Sequence, residues 1–217
     1  MKANRKLLAF IIFLAFTANI LLSCSNKNDG IPEDESLTTY ETLQAQGYET
    51  LFSVYDYDGQ VTDGMLVLAT EAVSPKCNNI GEPIKIKLFF QNRTKEPIVL
   101  TSEFNIINGG FGTGGNLTAI IFDSHKSRIY TLADINLSSD TFYTRPNVYS
   151  TISPNATKEF GIDYYFPKKI YRNKTDEIRS TPMPGQYLIR FVYSDHQRES
   201  NNWEGIVSSN LITVCIK

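Results

Sequence analysis

Histidine is scarce in this chain of 217 residues, where only His125 and His196 occur. The two lie far apart and no Cys-x-x-Cys accompanies them, which excludes the usual ligand spacings of a zinc site. Each stands beside an acid, in Asp123-Ser124-His125 and in Asp195-His196. A Ser-His-Asp triad is assembled in space rather than by adjacency, and no Gly-x-Ser-x-Gly elbow is present. The chain is therefore read as non-catalytic, with hydrolysis through His125 or His196 as the enzymatic alternative. Basic clusters are lacking as well. The 21 Lys and Arg are outnumbered by 23 Asp and Glu and are spread along the chain, so nucleic acid would find no electrostatic footprint. Long helical hydrophobic patterns are missing too, which argues against an α-helical core.

Glycine gathers in Asn108–Asn116 (NGGFGTGGN). Phosphate-binding loops need a helix N-terminus behind them. Here no Lys is present, and Leu117–Phe122 reads as a strand. The stretch is a connection in which Gly supplies positive φ, with Phe111 at its centre as a candidate ligand contact. Asp56, Asp58 and Asp63 bring three carboxylates close together, and calcium favours oxygen ligands. The EF-hand template fails, because Val61 and Val67 occupy its obligatory Gly and terminal Glu positions. No cofactor or metal is expected, and whether the three aspartates hold a cation stays open.

What the sequence does have begins at its first residue. Lys2, Arg5 and Lys6 precede the apolar stretch Leu7–Leu22, which is short for a spanning helix and suited to a cleaved secretory signal. The stretch ends in Leu21-Leu22-Ser23-Cys24, which resembles the lipobox of bacterial lipoproteins. Leu22 departs from that pattern, since a smaller residue is usual there. The resemblance implies cleavage before Cys24 and acylation of its thiol, so residues 1–23 are a signal peptide and the membrane is a partner through lipid. Two or three chains make such anchoring stable. Without Lys2, Arg5 and Lys6 the exported chain has 18 basic against 23 acidic residues, a formal charge of −5. Ser25 stands where an Asp would imply inner-membrane retention in Gram-negative lipoproteins, which favours the outer membrane. The same bacterial setting makes the Asn-x-Ser/Thr triplets, among them those at Asn92 and Asn116, a by-product of an Asn-rich sequence rather than glycan acceptors.

Residues 24–46 are polar and acidic and are read as a tether. From residue 47 the texture changes to short strand patterns separated by turn residues. Ile84–Gln91 alternates strictly, and similar runs occupy Phe160–Phe166, Tyr187–Tyr193 and Leu211–Ile216. Met65–Ala72, Ile98–Ile107, Leu117–Phe122 and Arg128–Leu132 are further strands. One all-β antiparallel domain over residues 47–217 follows. Ser153-Pro154-Asn155-Ala156 and Pro184-Gly185-Gln186-Tyr187 before strands, with Trp203-Glu204-Gly205 and Ser209-Asn210 before the last, resemble the late strands of immunoglobulin-like sandwiches in bacterial exported proteins. The strand order is also loosely similar to the bacterial intracellular proteinase inhibitor family. These resemblances imply an immunoglobulin-like β-sandwich and, by analogy of fold, an inhibitor that presents a sandwich-end loop.

In many such sandwiches the first strand runs parallel to the last, and this layout implies a disulfide. Cys24 is consumed by lipid, and an even pair remains in an oxidising compartment. Cys77 follows the first strand and Cys215 ends the last, on the alternation opposite Ile212, Val214 and Ile216. Aromatic loop residues supply the candidate recognition surface: Trp203 in an Asn- and Glu-rich stretch, and Tyr143 and Tyr149 around Arg145-Pro146. Such faces suit a glycan or an envelope protein. If Trp203 serves recognition, it is partly exposed. The function expected is a lipid-anchored, non-catalytic binding or accessory module of the bacterial cell envelope.

Overall fold

Pro83–Asn92 shows how this chain builds its strands. Ile84, Ile86, Leu88 and Phe90 are buried, while Lys85 is exposed and Lys87 and Gln91 are half-buried. Alternate side chains point to opposite faces, so an alternating sequence covers a core with one face and meets water with the other. The computed structural model describes residues 37–39, 60–73, 76–109, 116–131, 148–171, 180–195 and 203–217. All belong to the second of two units into which the chain divides, Pro32–Lys217. Among the described residues there is no helix and there are thirteen strands. They are β1 (Leu37–Thr39), β2 (Gln60–Thr62), β3 (Leu66–Ala72), β4 (Pro83–Asn92), β5 (Ile98–Thr101), β6 (Ile106–Asn108) and β7 (Leu117–Phe122). β8 (Arg128–Ile129), β9 (Tyr149–Ile152), β10 (Thr157–Tyr165), β11 (Gly185–Asp195), β12 (Gly205–Ser208) and β13 (Ile212–Ile216) complete them.

The fold is all-β. One sheet has the order β10-β4-β3, antiparallel throughout. The second has the path β12-β11-β7-β6, with β13 also on β11 and β8 on β7. β12 and β13 share one flank of β11, pairing with its C-terminal and N-terminal halves respectively. Leu68, Leu88, Phe90 and Tyr164 of the first sheet join Leu117, Ile121, Ile189, Phe191 and Tyr193 of the second in one core, the arrangement of a β-sandwich. Phe90 lies at its centre, 5.1 Å from the Tyr193 ring and 5.8 Å from Phe160, both edge-on, and stacked on Phe104 at 5.7 Å.

Cys77 and Cys215 are bridged, with Cα atoms 4.3 Å apart. The chain after β3 meets the end of β13 in parallel. Asn78 N donates to Cys215 O at 2.9 Å, and Lys217 N donates to Asn78 O at 3.0 Å. Ile212, Val214 and Ile216 are buried and Cys215 is half-buried, so the sulfur leaves the core side as the alternation requires.

Four features depart from the expectations. Leu37–Thr39 is a strand parallel to β2, so the stretch read as a tether enters a sheet before its end. Ile98–Ile107 is two strands, because β5 pairs with β9 and β6 with β7. β6 and β7 are parallel, so the Gly-rich stretch between them bridges parallel neighbours. Parallel neighbours cannot be joined by a two-residue hairpin turn. Finally, β7 is buried on both faces, and β3 over Leu66–Thr70 likewise.

Candidate functional site

The candidate recognition residue Trp203 is held by a turn at the start of β3. Asp63 Oδ1 accepts from Met65 N at 2.9 Å and Leu66 N at 2.8 Å, closing a turn in which Gly64 has φ 83°. Its other oxygen accepts from Trp203 Nε1 at 2.5 Å. Trp203 N donates to Val99 O at 2.7 Å, and the indole stacks on Tyr193 with centroids 5.7 Å apart. Gly205 leaves room for it, since a Cβ there would sit 2.7 Å from Trp203 Cζ2. The ring is 6 % exposed. Exposure of Trp203 as a recognition surface is thus corrected: Asp63, distant in sequence, supplies the partner for the indole N–H, and the ring caps the core.

Behind Trp203 lies a buried polar cluster. The Tyr193 hydroxyl is 3.0 Å from both Thr101 O and an Asp195 carboxylate oxygen, and that oxygen accepts from Thr101 N at 3.2 Å. Asp195 is 0 % exposed. The cluster therefore joins β11 to β5 and offers no carboxylate to solvent.

His125 lies in an exposed turn where Lys126 has φ 62°. Asp123 Oδ1 accepts from the backbone N–H groups of His125 and Ser127, at 2.8 and 2.9 Å, which shapes the turn rather than orienting the imidazole. Ser124 Oγ is 3.5 Å from His125 Nδ1. Tyr149 is half-buried at the start of β9, opposite Thr101. Cys24, Asp56, Asp58, Phe111, Tyr143 and His196 lie outside the described residues. Asp63 spends both oxygens on the turn and the indole, and among the described residues no three His, Cys, Asp or Glu are grouped to hold a metal.

Sequence reasoning passed over the asparagines, which organise the loops. Asn92 is fully buried; its amide nitrogen meets the carbonyls of Glu96, Ile152 and Ser153 at 2.7, 3.1 and 3.2 Å, and its Oδ1 accepts from Thr94 N at 2.8 Å. Asn116 Oδ1 accepts from Asn105 N at 2.9 Å and its Nδ2 donates to Glu103 O at 3.0 Å. An Asn at a strand end offers both a donor and an acceptor to its own neighbouring backbone, and this signal was available. Asn108 links the two sheets, since Tyr164 OH donates to its Oδ1 at 2.6 Å and its Nδ2 donates to Tyr165 O at 3.1 Å.

Electrostatics separates the interior from the outer face of the first sheet. Burial pushes the Tyr164 phenol well above its ordinary range, and burial raises Tyr187 too. On the outer face Lys87 Nζ is 2.9 Å from Glu159, and that hydrogen bond raises the lysine. Glu82 is lowered by the side-chain and backbone hydrogen bonds of Asn79. The sequence matches no protein-family model and no curated protein.

Proposed function

We propose that this chain is a lipid-anchored, non-catalytic binding module of the bacterial cell envelope, carried on an immunoglobulin-like sandwich. The observation that carries the reading is the division of labour among the three cysteines. Cys77 and Cys215 are bridged, and disulfides persist in exported proteins rather than in the cytosol. Cys24 is left over, directly after the apolar run and Leu21-Leu22-Ser23. The approach of the chain after β3 to the parallel end of β13 supports the immunoglobulin-like assignment. The outer membrane is the proposed residence. With β1 beginning at Leu37, residues 25–36 link lipid to domain and reach about 40 Å at full extension.

Cys24→Ala tests the anchor. The variant is expected in the soluble fraction after cell breakage, while the parent sediments with membranes and resists alkaline wash. A variant that still sediments and resists the wash overturns the reading.

A further inference from the structure

Among the described residues β10 has one hydrogen-bonded neighbour, β4. Register decides which backbone groups it leaves over. Asn92 N donates to Ala156 O at 2.9 Å, in line with the β10–β4 register. Hydrogen-bonded and non-hydrogen-bonded pairs alternate along an antiparallel ladder, so Lys158, Phe160, Ile162 and Tyr164 turn their N–H and C=O groups toward β4. Thr157, Glu159, Gly161 and Asp163 turn theirs away, and among the described residues nothing hydrogen-bonds to these groups. All four residues are exposed. A Cβ built on Gly161 meets nothing within 4 Å. Sheet edges are normally blunted by Pro, bulges, short length or charged side chains, and of these β10 has only charges, Lys158, Glu159 and Asp163. β10 has nine residues in unbroken register, with no Pro.

Charge on the outer face says what pairs there. Its sign alternates strand by strand: Glu71 on β3, Lys85 and Lys87 on β4, Glu159 and Asp163 on β10. The next strand in the series is basic, because opposite charges across a pair stabilise and like charges destabilise. A second copy of this chain is disfavoured on the same ground. Antiparallel pairing about Gly161 sets Glu159 against the other copy's Asp163, and a slide of four residues sets one of the acids against itself. The slide of two residues between them sets the acids against Gly161, Thr157 or Tyr165 and supplies no opposite charge. On the inner side Phe160 and Ile162 are half-buried and present apolar surface.

We propose that the free edge of β10 takes up an extended segment of a partner protein by antiparallel strand addition. The segment alternates Lys or Arg with β-branched residues, its basic side chains opposite Glu159 and Asp163. This supplies the binding module of the preceding subsection with a surface, and it rests on that reading for its setting in the envelope.

The probe is a nine-residue peptide alternating lysine and valine, titrated by anisotropy against the full chain in detergent. Residues opposite the outward groups of β10 pair through their own N–H groups, and those residues are the lysines. A peptide N-methylated on every valine is expected to bind saturably, and one N-methylated on every lysine at least tenfold more weakly. Glu159→Lys with Asp163→Lys is expected to weaken the lysine peptide about tenfold and to admit a glutamate–valine peptide. Equal binding of the two methylated peptides, binding unchanged by the double charge reversal, or no saturable binding of any peptide overturns the proposal. Self-association of the chain that the peptide displaces would make a second copy the occupant and overturn it as well. The two peptides on the parent chain decide the question even if the double variant fails to fold. Cys24→Ala fractionation reads anchoring independently, so failure of either proposal is seen apart from the other.

Discussion

Trp203 illustrates how a side chain's neighbours in sequence can mislead about its surroundings in space. Glu199, Asn201, Asn202 and Glu204 surround it in the chain, yet the indole lies on Tyr193 with its N–H on Asp63. As the single Trp, it is expected to emit in the blue and to resist acrylamide quenching in the native domain. Gly205→Ala tests the close approach. Its Cβ would stand 2.7 Å from Cζ2 and 3.1 Å from Cε2 of the indole, and 3.3 Å from Asp63 Oδ2. Since the ring is hydrogen-bonded at one end and stacked along its face, it cannot yield freely. A loss of about 1–3 kcal/mol is expected, the range of overpacked cores, with a red shift in emission. Urea denaturation followed at the Trp signal measures both, and unchanged stability with unchanged emission would show that the ring is not confined.

Strands here are joined by side chains that imitate backbone. Between β12 and β13, Asn210 Oδ1 accepts from Thr70 N at 2.8 Å and Asn210 Nδ2 donates to Thr70 O at 3.1 Å, so one carboxamide completes the ladder of β3. Ser208 Oγ accepts from Val61 N at 2.7 Å and Ser209 Oγ from Phe191 N at 3.0 Å. Asn210→Ala leaves both Thr70 groups unpaired near a buried strand, a cost of about 1–3 kcal/mol. Hydrogen exchange should show faster exchange at the Thr70 amide while β4 and β11 stay protected. Loss of protection throughout would mean that β3 cannot open by itself. The positions of β3, β4, β7, β10, β11 and β13 were legible because their apolar residues alternate or run together. Gln60–Thr62, Tyr149–Ile152 and Gly205–Ser208 were not, since three or four residues are too few to display a period.

Across the domain two features govern stability. The Cys77–Cys215 bridge spans 138 residues, and a loop of that size restricts the unfolded chain strongly. Replacing both cysteines by Ser is expected to cost roughly 2–5 kcal/mol, read as a lower denaturation midpoint. A midpoint equal to the parent's would remove the bridge from the account. Alkaline pH acts through the buried phenol of Tyr164. Tyr164 in the folded chain keeps a proton that the unfolded chain releases near pH 10, because burial raises its pKa. The unfolded state therefore binds fewer protons above that pH. Stability is complete below about pH 10 and falls as the pH climbs beyond it. Tyrosinate absorbance should accordingly include a late stage, from Tyr164, that appears together with unfolding. A single stage before any unfolding would contradict the burial of Tyr164.

Alternation in Ile84–Gln91 and Tyr187–Tyr193 was enough to read an all-β chain, because period two has no other economical burial. It also predicted the outward sulfur of Cys215, since the direction of one side chain follows from those of its neighbours. Which strands pair was a different matter. β6 lies parallel to β7, β12 shares a flank with β13, and β1 lies against β2. These choices depend on contacts between residues distant in the chain, such as Thr70 with Asn210 and Asp63 with Trp203. No local pattern encodes such contacts. The open edge of β10 is of the same kind: its composition was visible in Phe160–Phe166, but its lack of a second neighbour among the described residues follows from the order in which the sheet is assembled. A strand's face is a property of its own sequence, whereas its edge is settled by which other strands find it.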